Sequence, residues 1–126
     1  MPGDFDEAPQ RLWRNHWLPK LQPRTAPGVE VDFRRTFSPD EAGRLRRGMW
    51  PQHMEDKWVI FLGESSLDMW RSWTGHCIFS LPATFSPKGV LVGPLWVNND
   101  ATQYRRQNDA EDVRIVDLLI NKALRA

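Results

Sequence analysis

At 126 residues, 40% apolar and 26% charged, the chain has the size and make-up of one globular domain and not of a disordered polymer. Seventeen Lys and Arg against sixteen Asp and Glu leave a net charge of +1, so the electrostatic footprint of a nucleic-acid-binding protein is missing and that partner is not expected. A single cysteine precludes an internal disulfide, no apolar run reaches the roughly 20 residues that span a bilayer, and no secretory leader is recognisable, so the expectation is a cytoplasmic protein with no membrane contact.

Residues 1–28 carry Pro2, Pro9, Pro19, Pro23 and Pro27, which remove backbone donors and disfavour helix, so this stretch reads as a proline-rich N-terminal arm. Within it, residues 11–18 (RLWRNHWL) have room for two helical turns with Trp13 and Trp17 on one face, and they read as a segment docking on the domain. Residues 29–126 then form a single α+β domain. Its first element, residues 29–37, alternates Val29, Val31 and Phe33 with Glu30, Asp32 and Arg34, the period of a half-buried strand. Ser38-Pro39-Asp40-Glu41 is a capping box with proline at the first helical position, and Gly48 ends that short helix. Residues 49–55 connect to a meander of strands at 57–62, 67–73, 76–81 and 90–97, separated by 63–66, a Thr74–Gly75 turn and a loop over 82–89. A short helical turn at 101–106 and a helix over 110–124 close the chain. Asn108 caps that helix, and Val113, Val116, Leu119, Ile120, Ala123 and Leu124 form the stripe that covers the sheet. The expected architecture is an antiparallel β-meander of four to five strands packed against a C-terminal helix, with a short capped helix before it.

A two-residue turn at Thr74–Gly75 sets Trp73 opposite His76, Ser72 opposite Cys77 and Trp70 opposite Phe79. A four-residue loop at 63–66 sets Leu62 opposite Leu67 and Trp58 opposite Arg71. Alternation then collects Val59, Phe61, Asp68, Trp70, Ser72, Cys77, Phe79 and Leu81 on one face, where Cys77 reads as a small core hydrophobe. The opposite face gathers Trp58, Arg71, Trp73 and His76 towards one end. Guanidinium binds phosphate or carboxylate in a fork and indoles stack on planar rings, so these four form a candidate ligand-binding patch: Arg71 as anion clamp, Trp58 and Trp73 as stacking walls, His76 as a hydrogen-bonding rim. A cation–π lid on the sheet edge accounts for the same residues.

Catalytic patterns are sparse. His76 and Cys77 are neighbours on a strand and point to opposite faces, and His16, His53 and His76 lack metal-ligand spacing, so neither a thiol–imidazole pair nor a metal site is expected. No phosphate-cradling glycine motif or nucleophile elbow is present, and no cofactor is implied. Glu64 and Asp68 are the carboxylates available for acid–base work, although acids near loop ends are ordinarily solvated. Asn98-Asn99-Asp100 reads as a structural cap.

At residues 54–61 (MEDKWVIF) and 71–79 (RSWTGHCIF) the chain resembles a family of small, uncharacterised bacterial proteins with a DKW-F-I strand followed by an R-S-W-T-G-x-C-I hairpin. The resemblance covers about half the chain, continuing loosely through residues 98–104 and the last helix. Similar segments adjoin ADP-ribosylglycohydrolase-type modules, which implies a link to ADP-ribose or nucleotide chemistry and designates no catalytic residue. The resulting expectation is a non-catalytic recognition or accessory domain binding a nucleotide-like ligand or a partner protein. A small enzyme acting on an ADP-ribose or nucleotide bond through Glu64 or Asp68, and an immunity- or antitoxin-like protein using the N-terminal arm, are the alternatives.

Overall fold

A computed structural model describes residues 12–126. Seven strands, β1 (Gly28–Val31), β2 (Arg35–Phe37), β3 (Trp58–Leu62), β4 (Ser66–Arg71), β5 (Cys77–Ser86), β6 (Gly89–Val92) and β7 (Leu95–Asn98), form one antiparallel sheet with helices α1 (Pro39–Arg47) and α2 (Asp109–Arg125). The order is β1–β7–β5–β4–β3, with β6 alongside β5 and β2 alongside β6. β5 pairs β7 through its first half and β6 through its second, and β1 and β2 lie on the far sides of β7 and β6. Two long strands are therefore each interrupted once, at residues 32–34 and 93–94, where the expected pattern was continuous. The expected loop at 82–89 is mostly strand, since β5 runs on to Ser86 and turns tightly into β6. Pro82 is tolerated there because it closes the β4 ladder opposite Ser66, with its carbonyl accepting from Gly93 N at 2.9 Å.

Both helices form where their caps place them. Ser38 Oγ accepts from Glu41 N while Glu41 Oε1 accepts from Ser38 N, and Gly48 follows α1 with φ +83°. Asn108 Oδ1 accepts from Glu111 N at 2.8 Å, and acids fill the first turn of α2. Val116, Leu119, Ile120 and Ala123 of α2, with Ala42 and Leu45 of α1, bury against Ile60, Leu62, Leu67, Met69, Phe79, Leu81, Val92, Leu95 and Val97. Arg35 ties β2 to α2 through Asp117 (2.7 Å) and Asn121 (2.8 Å). Asp112, fully buried in the first turn of α2, is held by Arg106 at 2.7 and 2.9 Å, so no buried charge is left uncompensated there.

The other sheet face has a second, aromatic core. Trp50, Phe61 and Trp70 stack in sequence at centroid distances of 5.3 and 5.0 Å, with Val59 and Cys77 beside them. Residues 12–27 lie across this face as a strap: residues 12–17 are helical, Leu18–Lys20 form a further 3₁₀ turn, and Trp13, Trp17 and Leu21 pack on the stack. The docking expected for Trp13 and Trp17 is therefore present, while residues 1–11 of the arm, and so the first residue of its expected helix, lie outside the described residues. No helix of the described residues is long and apolar enough to cross a membrane.

Candidate functional site

The β3–β4 register is the expected one, with Leu62 opposite Leu67 and Trp58 opposite Arg71. The β4–β5 hairpin is not. Trp70, not Ser72, faces Cys77, and the loop is the four residues 72–75, closed by Arg71 N to His76 O (3.0 Å) and Gly75 N to Arg71 O (2.8 Å). Gly75 supplies the φ of +77° that this turn needs. A bulge follows, since Met69 faces Phe79 while Trp70 faces Cys77, leaving Ile78 as the extra residue. Phe79 and Leu81 consequently join Met69 and Leu67 in the helix-side core, and not Cys77 as the two-residue turn required. Cys77 stays with Trp70 under the strap, and burial pushes its thiol up to about 12, so it is an inert core side chain.

The corrected hairpin redistributes the four candidate residues. Trp58 is half-buried and stacked on Phe79 (5.8 Å), with the Arg71 guanidinium 4.6 Å from its ring centroid. Its faces are spoken for, so it backs Arg71 and is not a free stacking wall. Trp73 has left the strand for the loop, where it is 72% exposed and anchored by Nε1 donating to Met54 O at 3.0 Å. His76 is half-buried, its carbonyl bound by Arg71 N, and it lies close enough to Asp100 to help lower that carboxyl below the usual range, after the larger effect of the Thr102 hydrogen bonds.

Arg71 and Trp73 meet in a cleft of about 410 Å³ whose other walls are Lys57, Thr74 and Gln103. Lys57 belongs there because its carbonyl accepts from Ser72 N at 2.9 Å, which ties the start of β3 to the 72–75 loop. Gln103 arrives from the turn after β7. Fully buried Asn98 donates from Nδ2 to Cys77 O (3.0 Å) and to Gln103 Oε1 (2.8 Å), and its Oδ1 accepts from Asp100 N (2.8 Å). The Gln103 oxygen is thereby taken, and its NH₂ group is left to donate. Among the described residues neither Arg71 nor Lys57 forms an ion pair, and no acidic side chain lines the cleft.

A second cleft of about 520 Å³ lies beside the first, lined by Trp50, Glu55, Asp56, Lys57, Trp58, Leu119, Lys122 and Arg125 among others. A third, of about 540 Å³, opens between the strap and the 51–56 loop, with Trp13, Trp17, His16, His53 and Trp73 in its walls. Glu64 and Asp68 line none of these clefts. Asp68 accepts from Ser66 Oγ at 2.8 Å and from Ser80 Oγ, and burial raises its pKa. Among the described residues no group of three or more His, Cys, Asp and Glu is placed to hold a metal ion.

Lys57 and Gln103 were missed by strand alternation for different reasons. Lys57 lies in the expected strand at 57–62, where alternation puts it with Val59 and Phe61 on the face away from Arg71, whereas β3 begins only at Trp58 and leaves Lys57 before it. Gln103 is brought in by tertiary contact with Asn98, for which the sequence has no periodic signal. Comparison with known proteins adds nothing further: no family model matches the chain, and no curated protein and no solved structure matches it significantly.

Proposed function

We propose that this chain is a small recognition domain that binds a nucleotide-like ligand, a planar ring carrying an anionic group, in the cleft between Arg71 and Trp73. The observation that carries this reading is the polarity of the cleft: a guanidinium, an ammonium, an amide held with its NH₂ free and an exposed indole, with no carboxylate among them. Two cationic side chains with no carboxylate opposite them favour an anion, and the exposed indole favours a flat ring beside it. In this reading Arg71 clamps the anion, Lys57 and Gln103 complete its donors, Trp73 stacks and Trp58 holds Arg71 in place, while His76 does not line the cleft and serves only through its carbonyl, which accepts from Arg71 N. A cleft of about 410 Å³ is of the size that holds a mononucleotide-scale ligand. The resemblance of the hairpin to segments adjoining ADP-ribosylglycohydrolase-type modules supports including ADP-ribose among the candidates.

The test is calorimetric titration with AMP, ADP-ribose and NAD. Wild type should bind at least one of them, and Arg71→Ala and Trp73→Ala should each weaken binding at least tenfold with an unchanged melting temperature. A flat heat trace for every nucleotide would sink the proposal.

A further inference from the structure

Trp73 and Thr74 stand in the cleft on the loop of residues 72–75, and that loop is held from two sides. Residues 54–57 hold its first half: Ser72 N donates to Lys57 O (2.9 Å), Ser72 Oγ to Asp56 O (2.9 Å) and Trp73 Nε1 to Met54 O (3.0 Å). The strap holds the second half, and one residue makes both bonds. Gln22 N donates to Gly75 O (2.8 Å) and Gln22 Nε2 to Thr74 O (3.3 Å), while Gln22 O accepts from Nε1 of Trp70 (2.9 Å), the neighbour of Arg71 on β4. Lys20 O closes over Gly75 so tightly that a Cβ there would lie 2.2 Å away. Among the described residues none of the strap lines the Arg71–Trp73 cleft, so these contacts bear on it only through the loop.

Resting on the nucleotide reading above, we infer that the strap is a regulatory element of that cleft, with Gln22 as the positioning residue that couples the two. A docked strap fixes the carbonyls of Thr74 and Gly75 and so presets the Trp73–Thr74 wall for the ligand. With residues 12–22 lifted, the loop keeps only its bonds to 54–57 and its own turn closure, and the ligand must order the rest, which weakens binding. Coupling of this kind is reciprocal: a ligand that prefers the preset loop favours the docked strap by the same factor. The strap suits the part because it is two short helical turns followed by an extended stretch, the kind of segment that opens without unfolding the whole domain.

The experiment titrates AMP, ADP-ribose and NAD separately into wild type and Gln22→Pro, and follows hydrogen exchange segment by segment, by mass spectrometry, with and without each nucleotide. Proline at 22 removes both donors to the loop, and the preceding Leu21, at ψ 136°, has the extended backbone that a following proline accepts. For every nucleotide that binds wild type, Gln22→Pro should bind about fivefold more weakly, the low end of typical coupling between sites. The same nucleotide should slow exchange of residues 12–21 about fivefold in wild type and leave it unchanged in the variant. A merely structural Gln22 would not make strap exchange respond to a ligand that does not touch the strap. Binding in wild type with strap exchange unchanged, or with equal affinity in Gln22→Pro, overturns the coupling and leaves the cleft standing. Equal slowing in the strap and in α1 also overturns it, since that is stabilisation of the whole fold by mass action. Binding by none of the three nucleotides in wild type overturns both proposals. Should Gln22→Pro melt early, Gln22→Ala, exposed and lacking only the Thr74 bond, should lose about twofold in affinity, and an unchanged affinity there overturns the coupling.

Discussion

The two faces of the sheet are closed by different means. The helix side is aliphatic, and α1 and α2 cover it with Leu, Ile, Val and Ala stripes whose backbone polar groups are already satisfied within the helices. The strap side is aromatic and covered by a segment that is helical only in short turns over residues 12–20 and extended after them, so the polar groups of its later half need outside partners. Indoles provide two. Trp70 Nε1 donates to Gln22 O (2.9 Å) and Trp17 Nε1 to Pro51 O (3.2 Å), while Gln22 N donates to Gly75 O (2.8 Å). A helix can close a sheet by shape alone, whereas a strap must also be hydrogen-bonded down. This accounts for much of the chain's tryptophan content without any ligand: each ring fills core volume and its N–H ties down a loop.

Four substitutions separate the two faces, in decreasing order of expected effect. Ile120→Ala removes a fully buried side chain from the helix face and should cost about 2–5 kcal/mol in urea unfolding. A loss below 1 kcal/mol would mean that α2 is not essential to closure. Gly75→Ala strikes the strap's anchor, because a Cβ there would lie 2.2 Å from Lys20 O in a left-handed backbone conformation; a cost of about 1–3 kcal/mol is expected. Trp17→Ala removes a half-buried ring and should destabilise by about 1–2 kcal/mol while raising the rate of Cys77 labelling by a disulfide reagent. Unchanged labelling would show that the strap does not control access to that thiol.

The smallest effect is a pH dependence at Asp68. Burial raises its folded pKa, so the native state holds this proton more tightly than the unfolded chain does. Stability from this group is therefore greatest below about pH 4, where the unfolded carboxyl is still protonated, and declines as pH rises through the folded pKa. Asp68→Asn should remove that decline. The urea midpoint of wild type minus that of the variant should fall as pH rises from 4 to 7, and a constant difference would rule out the effect.

Elements governed by local chemistry were legible from the sequence. Ser38, Glu41, Gly48, Asn108 and Glu111 mark the helix ends, and alternation from Leu62 and Leu67 fixed the β3–β4 register. What escaped depended on non-local partners. Thr74–Gly75 looks like a turn in isolation, but the bulge at Ile78 and the four-residue loop are set by the packing of Phe79 and by the strap against Gly75. The pairing of Trp58 with Arg71 could be read from a single register, whereas placing Trp73 required the β4–β5 register, and placing Gln103 required the buried Asn98 amide. Local patterning thus located one wall of the cleft, and tertiary hydrogen bonding built the rest.

The interruptions in the outer strands have a consequence for self-association. A sheet with two free margins invites strand addition by another copy, most readily along a long, flat, unbroken edge. Here one margin is divided between β1 and β2, with Asp32 and Arg34 paired at the break, so its longest open run is the four residues Gly28–Val31. The opposite margin, β3, is plugged at its centre, where Met49 exchanges hydrogen bonds with Ile60 at 2.7 and 3.1 Å. Among the described residues neither border offers a long unbroken template, the arrangement that disfavours edge-to-edge pairing of copies.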